Sequence, residues 1–194
     1  MYYIIVPDEE FYNEGDDQLV PFGLAKGSSY KIFDQFDAGE KIAEECDLIF
    51  SFSGSKQLLD KYLTADFLLS NPALFSKRLV DLILMHSPND IQALPVVIKS
   101  HGADYSGFFA INFMKRINCL DMEKSKFYRM LPSDNNSPLV LQRPVFLDGT
   151  FDDGLLGVAD HAPSLKVASE KFIHIYRQEK MIGMDFWPNN KPPN

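Results

Sequence analysis

One short stretch of the chain, NCLDMEKSKF from Asn118, concentrates side chains that could do chemistry. Within seven positions it holds a thiol, two carboxylates, an amine and a hydroxyl, on Cys119, Asp121, Glu123, Lys124 and Ser125. A nucleophile needs an activating base, and no histidine lies nearby in the sequence. The residue types alone therefore do not distinguish a reaction centre from a strand that runs into a charged turn.

The residues that lead into this stretch favour a structural role. Apolar and polar side chains alternate along SGFFAINFMKRINCL, which predicts one long strand over residues 106–120. The alternation places Ile117 and Cys119 on one face and Asn118 and Leu120 on the other. Cys119 is then a small buried residue with an inert thiol, and the charges that follow belong to a turn.

A small enzyme remains the alternative function. It would pair a carboxylate with a histidine, for example Asp121 or Glu123 with His101 or His161. The four histidines have no paired metal-ligand spacing, and the chain lacks phosphate-binding glycine motifs and a nucleophile elbow. The sequence thus predicts no catalytic residue, no metal site and no cofactor.

Negative charge is concentrated in the first third of the chain. The 194 residues carry a formal net charge of −8. Residues 1–66 hold 14 acidic and 5 basic residues, a balance of −9, whereas residues 67–194 hold 13 and 14, a balance of +1. An acidic field repels nucleic acid and anionic membranes and attracts basic partners. Acidic surfaces also serve solubility alone, so both explanations stand.

The candidates for partner binding are therefore acidic. The main set lies in the first 20 residues, which contain no basic residue. It comprises Asp8, Glu9, Glu10, Glu14, Asp16 and Asp17. A second patch in DGTFDDG comprises Asp148, Asp152 and Asp153, and their spacing favours a solvated turn over a calcium loop.

Composition and cysteine use argue against several classes of protein. The one basic stretch with aromatics, KSKFYR, is too short to predict nucleic-acid binding in an acidic chain. No apolar run is long enough to span a membrane, and the first residues lack the basic region of a signal peptide. Cys46 and Cys119 lie far apart, which fits a reducing compartment, so we expect a cytoplasmic protein.

The pattern of elements predicts an α+β fold, with a mixed, mainly antiparallel sheet and packed helices. Strands are expected at YYIIV, DLIFSF, IQALPVVI, LVLQRPVFL, LKVA and MDFWP. One helix is expected from Pro72 to His86 with Asn71 as its cap. Another is expected over EKFIHIYRQEK, with Ser169 as its cap and Gly183 as its C-terminal glycine.

An internal repeat appears when the chain is shifted by 93 positions. Residues 76–95 then match residues 169–188 without a gap, and Ser76 coincides with Ser169. Each copy contains a serine cap, an amphipathic helix, a short turn and a strand that ends in proline. The repeat predicts one helix–strand unit used twice on a shared sheet.

A family resemblance is carried by the segments LLSNPALFSKRLVDLI, IQALPVVI and GFFAINFMKRINCLDMEKS, and by a helix followed by Gly183 and Phe186. These features resemble a bacterial family called domain of unknown function 1629, grouped with immunity protein family eleven of polymorphic toxin systems. The resemblance covers about residues 66–188, which we expect to form the α+β domain. We expect residues 1–65 to be an acidic N-terminal segment of the same domain and residues 189–194 to be a frayed tail.

The resemblance implies a non-enzymatic protein that is encoded beside a toxin gene and neutralises the toxin by binding it. It brings no catalytic residue to this chain. An acidic first third would suit a basic toxin domain, such as a nuclease, because complementary charge speeds association. A structural protein that forms oligomers is a third possibility, and the oligomeric state is not predicted.

Overall fold

A computed structural model describes residues 2–12, 22–25, 35–36, 39–43, 48–129, 133, 139–147 and 154–188. These residues form an α+β fold with one six-stranded sheet, one five-stranded sheet and a separate two-stranded ribbon. Antiparallel pairs dominate, so the predicted fold class is confirmed. Within the described ranges, no helix is long and apolar enough to cross a membrane.

The described elements follow one another along the chain in this order. They are β1 (Tyr2–Pro7), α1 (Glu9–Tyr12), β2 (Phe22–Leu24), β3 (Leu48–Phe52), α2 (Lys56–Tyr62), β4 (Phe67–Leu68), β5 (Leu74–Ser76), α3 (Lys77–His86), β6 (Ile91–Ser100), β7 (Ala103–Phe113), β8 (Arg116–Ile117), β9 (Lys126–Arg129), β10 (Leu139–Arg143), β11 (Leu156–Ala159), β12 (Ala162–Ser169), α4 (Glu170–Gln178) and β13 (Met184–Pro188).

The two main sheets share an arrangement of three strands, in which two strands joined through a helix have a third strand between them. The six-stranded sheet has the order β2-β3-β6-β7-β5-β4, and the five-stranded sheet has the order β13-β1-β12-β11-β8. In the first, β5 connects through α3 to β6, and β7 lies between those two strands. In the second, β12 connects through α4 to β13, and β1 lies between them. Each inserted strand is antiparallel to both neighbours.

The helix caps confirm the repeat that the 93-residue shift predicts. The Ser76 hydroxyl accepts a hydrogen bond from the Leu79 amide at 3.2 Å, and the Ser169 hydroxyl accepts one from the Phe172 amide at 3.1 Å. The buried residues of the two helices also occupy matching positions. They are Leu79, Val80 and Ile83 in α3, and Phe172, Ile173 and Tyr176 in α4.

The predicted shared sheet is wrong, because each copy of the unit belongs to a different sheet. The copies meet instead through one hydrophobic core, which contains the buried faces of both helices together with residues of both sheets, such as Phe113 and Met184. The first copy also continues beyond Pro95, since β6 runs on to Ser100. Burial of apolar surface is the main favourable contribution to folding, so this common core joins the two copies.

Two predicted helix boundaries are also wrong. Residues around Pro72 do not begin a helix, because β5 pairs with β7 and the helix starts at Lys77. The second helix ends at Gln178, and Lys180 takes the left-handed conformation there with φ 52°. Gly183 lies in the following turn with φ 106°, where a Cβ atom would come within 2.6 Å of the Phe67 carbonyl oxygen. Close backbone approach therefore requires this glycine.

Replacing Ser169 with alanine tests the contribution of the second cap. We expect Ser169→Ala to lower the free energy of unfolding by about 1 kcal/mol, because the Phe172 amide loses its acceptor. Chemical denaturation measured by circular dichroism gives this difference. Ser169→Thr keeps a hydroxyl and should retain most of the stability. An unchanged free energy of unfolding in the alanine variant would show that the cap does not stabilise α4.

Candidate functional site

The stretch after Cys119 forms a turn that its own polar groups hold together. The Asp121 carboxylate accepts hydrogen bonds from the Glu123 amide at 3.2 Å and the Lys124 amide at 3.1 Å. Its second oxygen lies 2.8 Å from the Lys124 amine. The hydrogen bond and ion pair with Lys124 lower the pKa of Asp121. This carboxylate is therefore ionised near neutral pH, and its oxygens already bind groups of the turn.

Ser125 and Asp121 attach the turn to the backbone at Val145. The Ser125 hydroxyl donates to the Val145 carbonyl at 3.1 Å and accepts from the Val145 amide at 2.9 Å. The Asp121 amide donates to the same carbonyl at 2.8 Å. A serine that satisfies both backbone groups of another residue replaces a rung of a β-ladder. Its hydroxyl has a structural role here.

Cys119 is buried, as its sequence context predicts, with 1% of its surface exposed. Burial raises the pKa of its thiol to about 11. Its carbonyl oxygen accepts hydrogen bonds from the Tyr2 hydroxyl at 2.9 Å and the Leu147 amide at 3.0 Å. A neutral thiol in apolar surroundings is a poor nucleophile.

The predicted long strand over residues 106–120 is wrong in its second half. Strand β7 ends at Phe113, and only Arg116 and Ile117 continue as β8, which pairs with the other main sheet. Leu120 then packs in the same hydrophobic cluster as Cys119 instead of facing the opposite side. The change of sheet breaks the alternation, because a residue's face is defined only within one strand.

The carboxylate and histidine pairs considered for an enzyme do not form among the described residues. The imidazole of His101 lies 3.0 Å from the Gly54 carbonyl oxygen. His161 lies 3.9 Å from the Asp160 carboxylate, and both side chains are exposed. Within the same residues, no group of three histidine, cysteine or acidic side chains is placed to hold a metal ion.

The structure places three of the acidic candidates and leaves the others outside the described residues. Asp8 caps α1, since its carboxylate accepts from the Glu10 amide at 3.0 Å and the Phe11 amide at 3.3 Å. The side chains of Glu9 and Glu10 are exposed on that turn. The candidates that lie outside the described residues are Glu14, Asp16, Asp17, Asp148, Asp152 and Asp153.

Helix α1 is attached to the core on both sides of this acidic pair. Before it, the Asp8 amide donates to the Gly183 carbonyl at 3.1 Å. After it, the Tyr12 hydroxyl donates to the Phe67 carbonyl at 2.5 Å. Burial raises the pKa of the Tyr12 phenol, so the hydroxyl stays a donor over the physiological range. Between them, the Phe11 ring packs 5.9 Å from the ring of Tyr62.

A buried carboxylate that the sequence did not single out lies beside these anchors. Asp66 is 3% exposed. One of its oxygens accepts from the Ser76 hydroxyl at 2.7 Å and from Arg78 at 3.1 Å. The other accepts from Arg78 at 2.6 Å and from the Ile182 amide at 2.9 Å. The hydrogen bond to Asp66 raises the pKa of the Arg78 guanidinium.

Two side-chain amides, the half-buried Gln92 and the buried Asn112, attach a further part of the N-terminal third. The Gln92 side chain donates to the Ile42 carbonyl at 2.7 Å and accepts from the Ile42 amide at 2.9 Å. The Asn112 side chain donates to the Glu40 carbonyl at 2.6 Å, while its oxygen has no hydrogen-bond partner among the described residues. Asn112 interrupts the apolar run FFAINF, and a polar residue in such a run was the available sequence signal for this contact.

Comparison with known proteins adds no identification. No protein-family model matches the chain, and no curated protein matches its sequence. The resemblance to the immunity family therefore stays a prediction. Of the residues that carry it, Asn112, Cys119, Asp121 and Ser125 bind backbone groups or pack in the interior.

The thiol environment predicts slow labelling of Cys119. In a Cys46→Ser variant, where Cys119 is the sole thiol, we expect a thiol reagent at pH 8 to react about a hundredfold more slowly with the native than with the denatured protein. A pKa of about 11, against an ordinary 9.0, lowers the thiolate fraction by that factor. The stability that this shift contributes is present below pH 9 and is lost as the pH rises towards 11. Equal rates in the two states would contradict the buried position.

Asp66→Asn tests the buried carboxylate. We expect it to lower the free energy of unfolding by about 2–3 kcal/mol, because the amide cannot accept all four hydrogen bonds and leaves a buried donor unpaired. Denaturant titration measures the change. Asp81→Asn is the matched control, since Asp81 pairs with Lys77 on the surface of α3 and should cost at most about 0.5 kcal/mol. Similar losses in both variants would contradict a special role for Asp66.

Proposed function

We propose that this chain is a non-enzymatic cytoplasmic protein that neutralises a cognate bacterial toxin by binding it directly. The observation that carries the proposal is the display of Glu9 and Glu10 on a turn anchored to the core at both ends. The turn belongs to the third of the chain that holds all of its excess negative charge. These carboxylates face solvent and would meet a basic surface of the toxin.

Anchoring of the turn supports a binding role. A flexible acidic segment loses conformational entropy when it binds, whereas a turn held at Phe67 and Gly183 has already lost most of it. The Asp8 side chain is occupied as a cap, so it shapes the turn instead of contacting a partner. The exposed carboxylates of Glu9 and Glu10 can complement basic side chains, which raises the association rate and selects the partner.

The segment with the most reactive side chains also supports binding over chemistry. Asp121 and Ser125 hold a turn, and Cys119 is buried with a raised pKa. Each of these groups has a structural partner that accounts for its position. The resemblance to immunity proteins, which implies no catalytic residue, agrees with this use of the segment.

A capture experiment tests the proposed function. The tagged chain would be incubated at low salt with lysate of its own organism, and the proteins that stay bound would be identified. We expect one stoichiometric basic protein, encoded next to this chain, whose binding weakens at about 0.5 M salt because exposed charges are then screened within about 4–5 Å. Recovery of a small molecule or metal with no protein partner would contradict the proposal.

Charge reversal at the turn predicts a change in binding rate. We expect Glu9→Lys and Glu10→Lys each to lower the association rate constant with the captured partner about fivefold at low salt, with little effect at about 0.5 M salt. Surface plasmon resonance measures both conditions. Glu123→Lys changes the net charge equally on an exposed turn elsewhere and should leave the rate nearly unchanged. Equal effects of all three would show that only net charge matters.

A further inference from the structure

Among the described residues, the ribbon formed by β9 and β10 pairs with neither main sheet. Phe127 and Leu141 are cross-strand partners on its inner face, since both pack against the cluster that contains Cys119. Successive side chains on a strand point to opposite faces. Lys126 and Tyr128, the neighbours of Phe127, therefore lie on the outer face of the ribbon.

A bulge places two cations opposite each other on this outer face. The register shifts between Leu141 and Arg143, so Gln142 is an extra residue and Arg143 lies opposite Lys126. A regular ladder would place the neutral Gln142 there instead. Both cations are exposed, and neither forms an ion pair within the part of the chain that the structure describes. Like charges directly opposite each other destabilise a pair of strands.

An exposed aromatic ring lies beside this pair of cations. Tyr128 is 53% exposed and lies opposite Val140. Its hydroxyl has no hydrogen bond and its ring no aromatic contact in the described ranges. Tyrosine and arginine are enriched in protein interfaces, where the ring is covered and the charge is paired. The ribbon thus presents two cations and one ring that lack partners within this part of the structure.

We propose that the outer face of this ribbon binds an acidic segment of another protein. A carboxylate of that segment lies between Lys126 and Arg143 and relieves their repulsion. An apolar side chain of the segment packs on Tyr128. This surface is opposite in sign to the turn that carries Glu9 and Glu10, so it does not depend on the proposed function.

An acidic protein segment fits this face better than nucleic acid does. The whole chain has a net charge of −8, which repels a polyanion at long range. Nucleic-acid affinity depends on many simultaneous phosphate contacts, and this face offers two cations. A short acidic segment needs only a few carboxylates to bind the ribbon. Because its total charge is small, the net negative charge of the chain repels it only weakly.

A labelled synthetic peptide provides the probe. It contains six glutamates and two phenylalanines, and its binding to the full chain would be followed by fluorescence anisotropy at low salt. A single-stranded oligonucleotide of equal charge is tested in parallel. We expect saturable binding of the peptide that weakens about tenfold or more in about 0.5 M salt, and weaker binding of the oligonucleotide.

Lys126→Glu separates binding from folding. We expect it to weaken peptide binding about tenfold or more while raising the melting temperature, because the introduced carboxylate and the Arg143 guanidinium would then attract each other. Lys126→Arg with Arg143→Lys keeps both charges and should bind like the unaltered chain. Lys171→Glu changes the net charge equally on the exposed surface of α4 and should have little effect on binding. Tyr128→Ala should weaken binding about threefold or more, because the apolar side chain of the peptide loses the ring on which it packs.

Three outcomes would overturn the proposal. Unchanged peptide affinity in Lys126→Glu would show that the ribbon is not the binding face. Tighter binding of the oligonucleotide, lost in the same variant, would assign the face to nucleic acid. A mass by light scattering that doubles with concentration, and returns to one chain in Lys126→Glu, would assign it to a second copy of this chain.

Discussion

The carboxylate of Asp66 accepts hydrogen bonds from both copies of the repeated unit. In the first copy the donor is the Ser76 hydroxyl, which also caps α3. In the second copy the donor is the Ile182 amide, which lies just before β13. The backbone of Asp66 adds to this link, because its amide donates to the Ile182 carbonyl at 2.9 Å and its carbonyl accepts from the Ser76 amide at 2.8 Å. A buried charge is tolerated only where such donors surround it, so the network fixes how the copies meet. The anchors of α1, at Phe67 and Gly183, adjoin this network, and the position of the acidic pair depends on it.

A second buried aspartate connects the first copy to the five-stranded sheet at another point. Asp90 lies between α3 and β6 and is 3% exposed. Its carboxylate accepts from the Leu155 amide at 2.5 Å and the Leu156 amide at 2.9 Å, where β11 begins. Gly154 leaves room for this approach, since a Cβ there would come within 2.6 Å of the carboxylate. Burial of apolar surface is not directional. The hydrogen bonds of Asp66 therefore define how the two copies are oriented, and those of Asp90 attach the first copy to β11.

Local patterns were sufficient to predict the repeated elements but not their partners. Apolar residues at helical spacing predicted both helices, as at Leu79 and Phe172. The Ser169 cap was predicted correctly, whereas Asn71 and Pro72 placed the start of the first helix too early and only the repeat pointed to Ser76. Cys119 is buried as predicted, but the alternation used to predict this does not extend to it, because Leu120 is buried in the same cluster. The role of Asp66 depends on residues far away in the chain, such as Ile182, which lies 116 positions from it. The spacing of apolar residues along the chain does not predict hydrogen bonds between residues so far apart in sequence. The acidic candidates were predicted from charge alone, which could not show that Asp8 is a cap while the two glutamates after it are exposed.

The pairing partners of β1 could not be predicted from the order of the strands along the chain. In the first copy, the strand inserted between β5 and β6 is β7, which follows β6 after a tight turn at His101 and Gly102. In the second copy, no strand follows β13 within the described residues, and the N-terminal strand β1 takes the corresponding place. Tyr3 lies opposite Pro188, so β13 and β1 meet as the arms of a hairpin do, although they are the last and first described strands. Sequence patterns favour pairing between strands that are adjacent along the chain. The pairing of β1 with β13 instead joins the first and last described strands. The acidic turn at Glu9 directly follows β1, so the five-stranded sheet, in which β1 pairs with β12 and β13, determines where the turn begins.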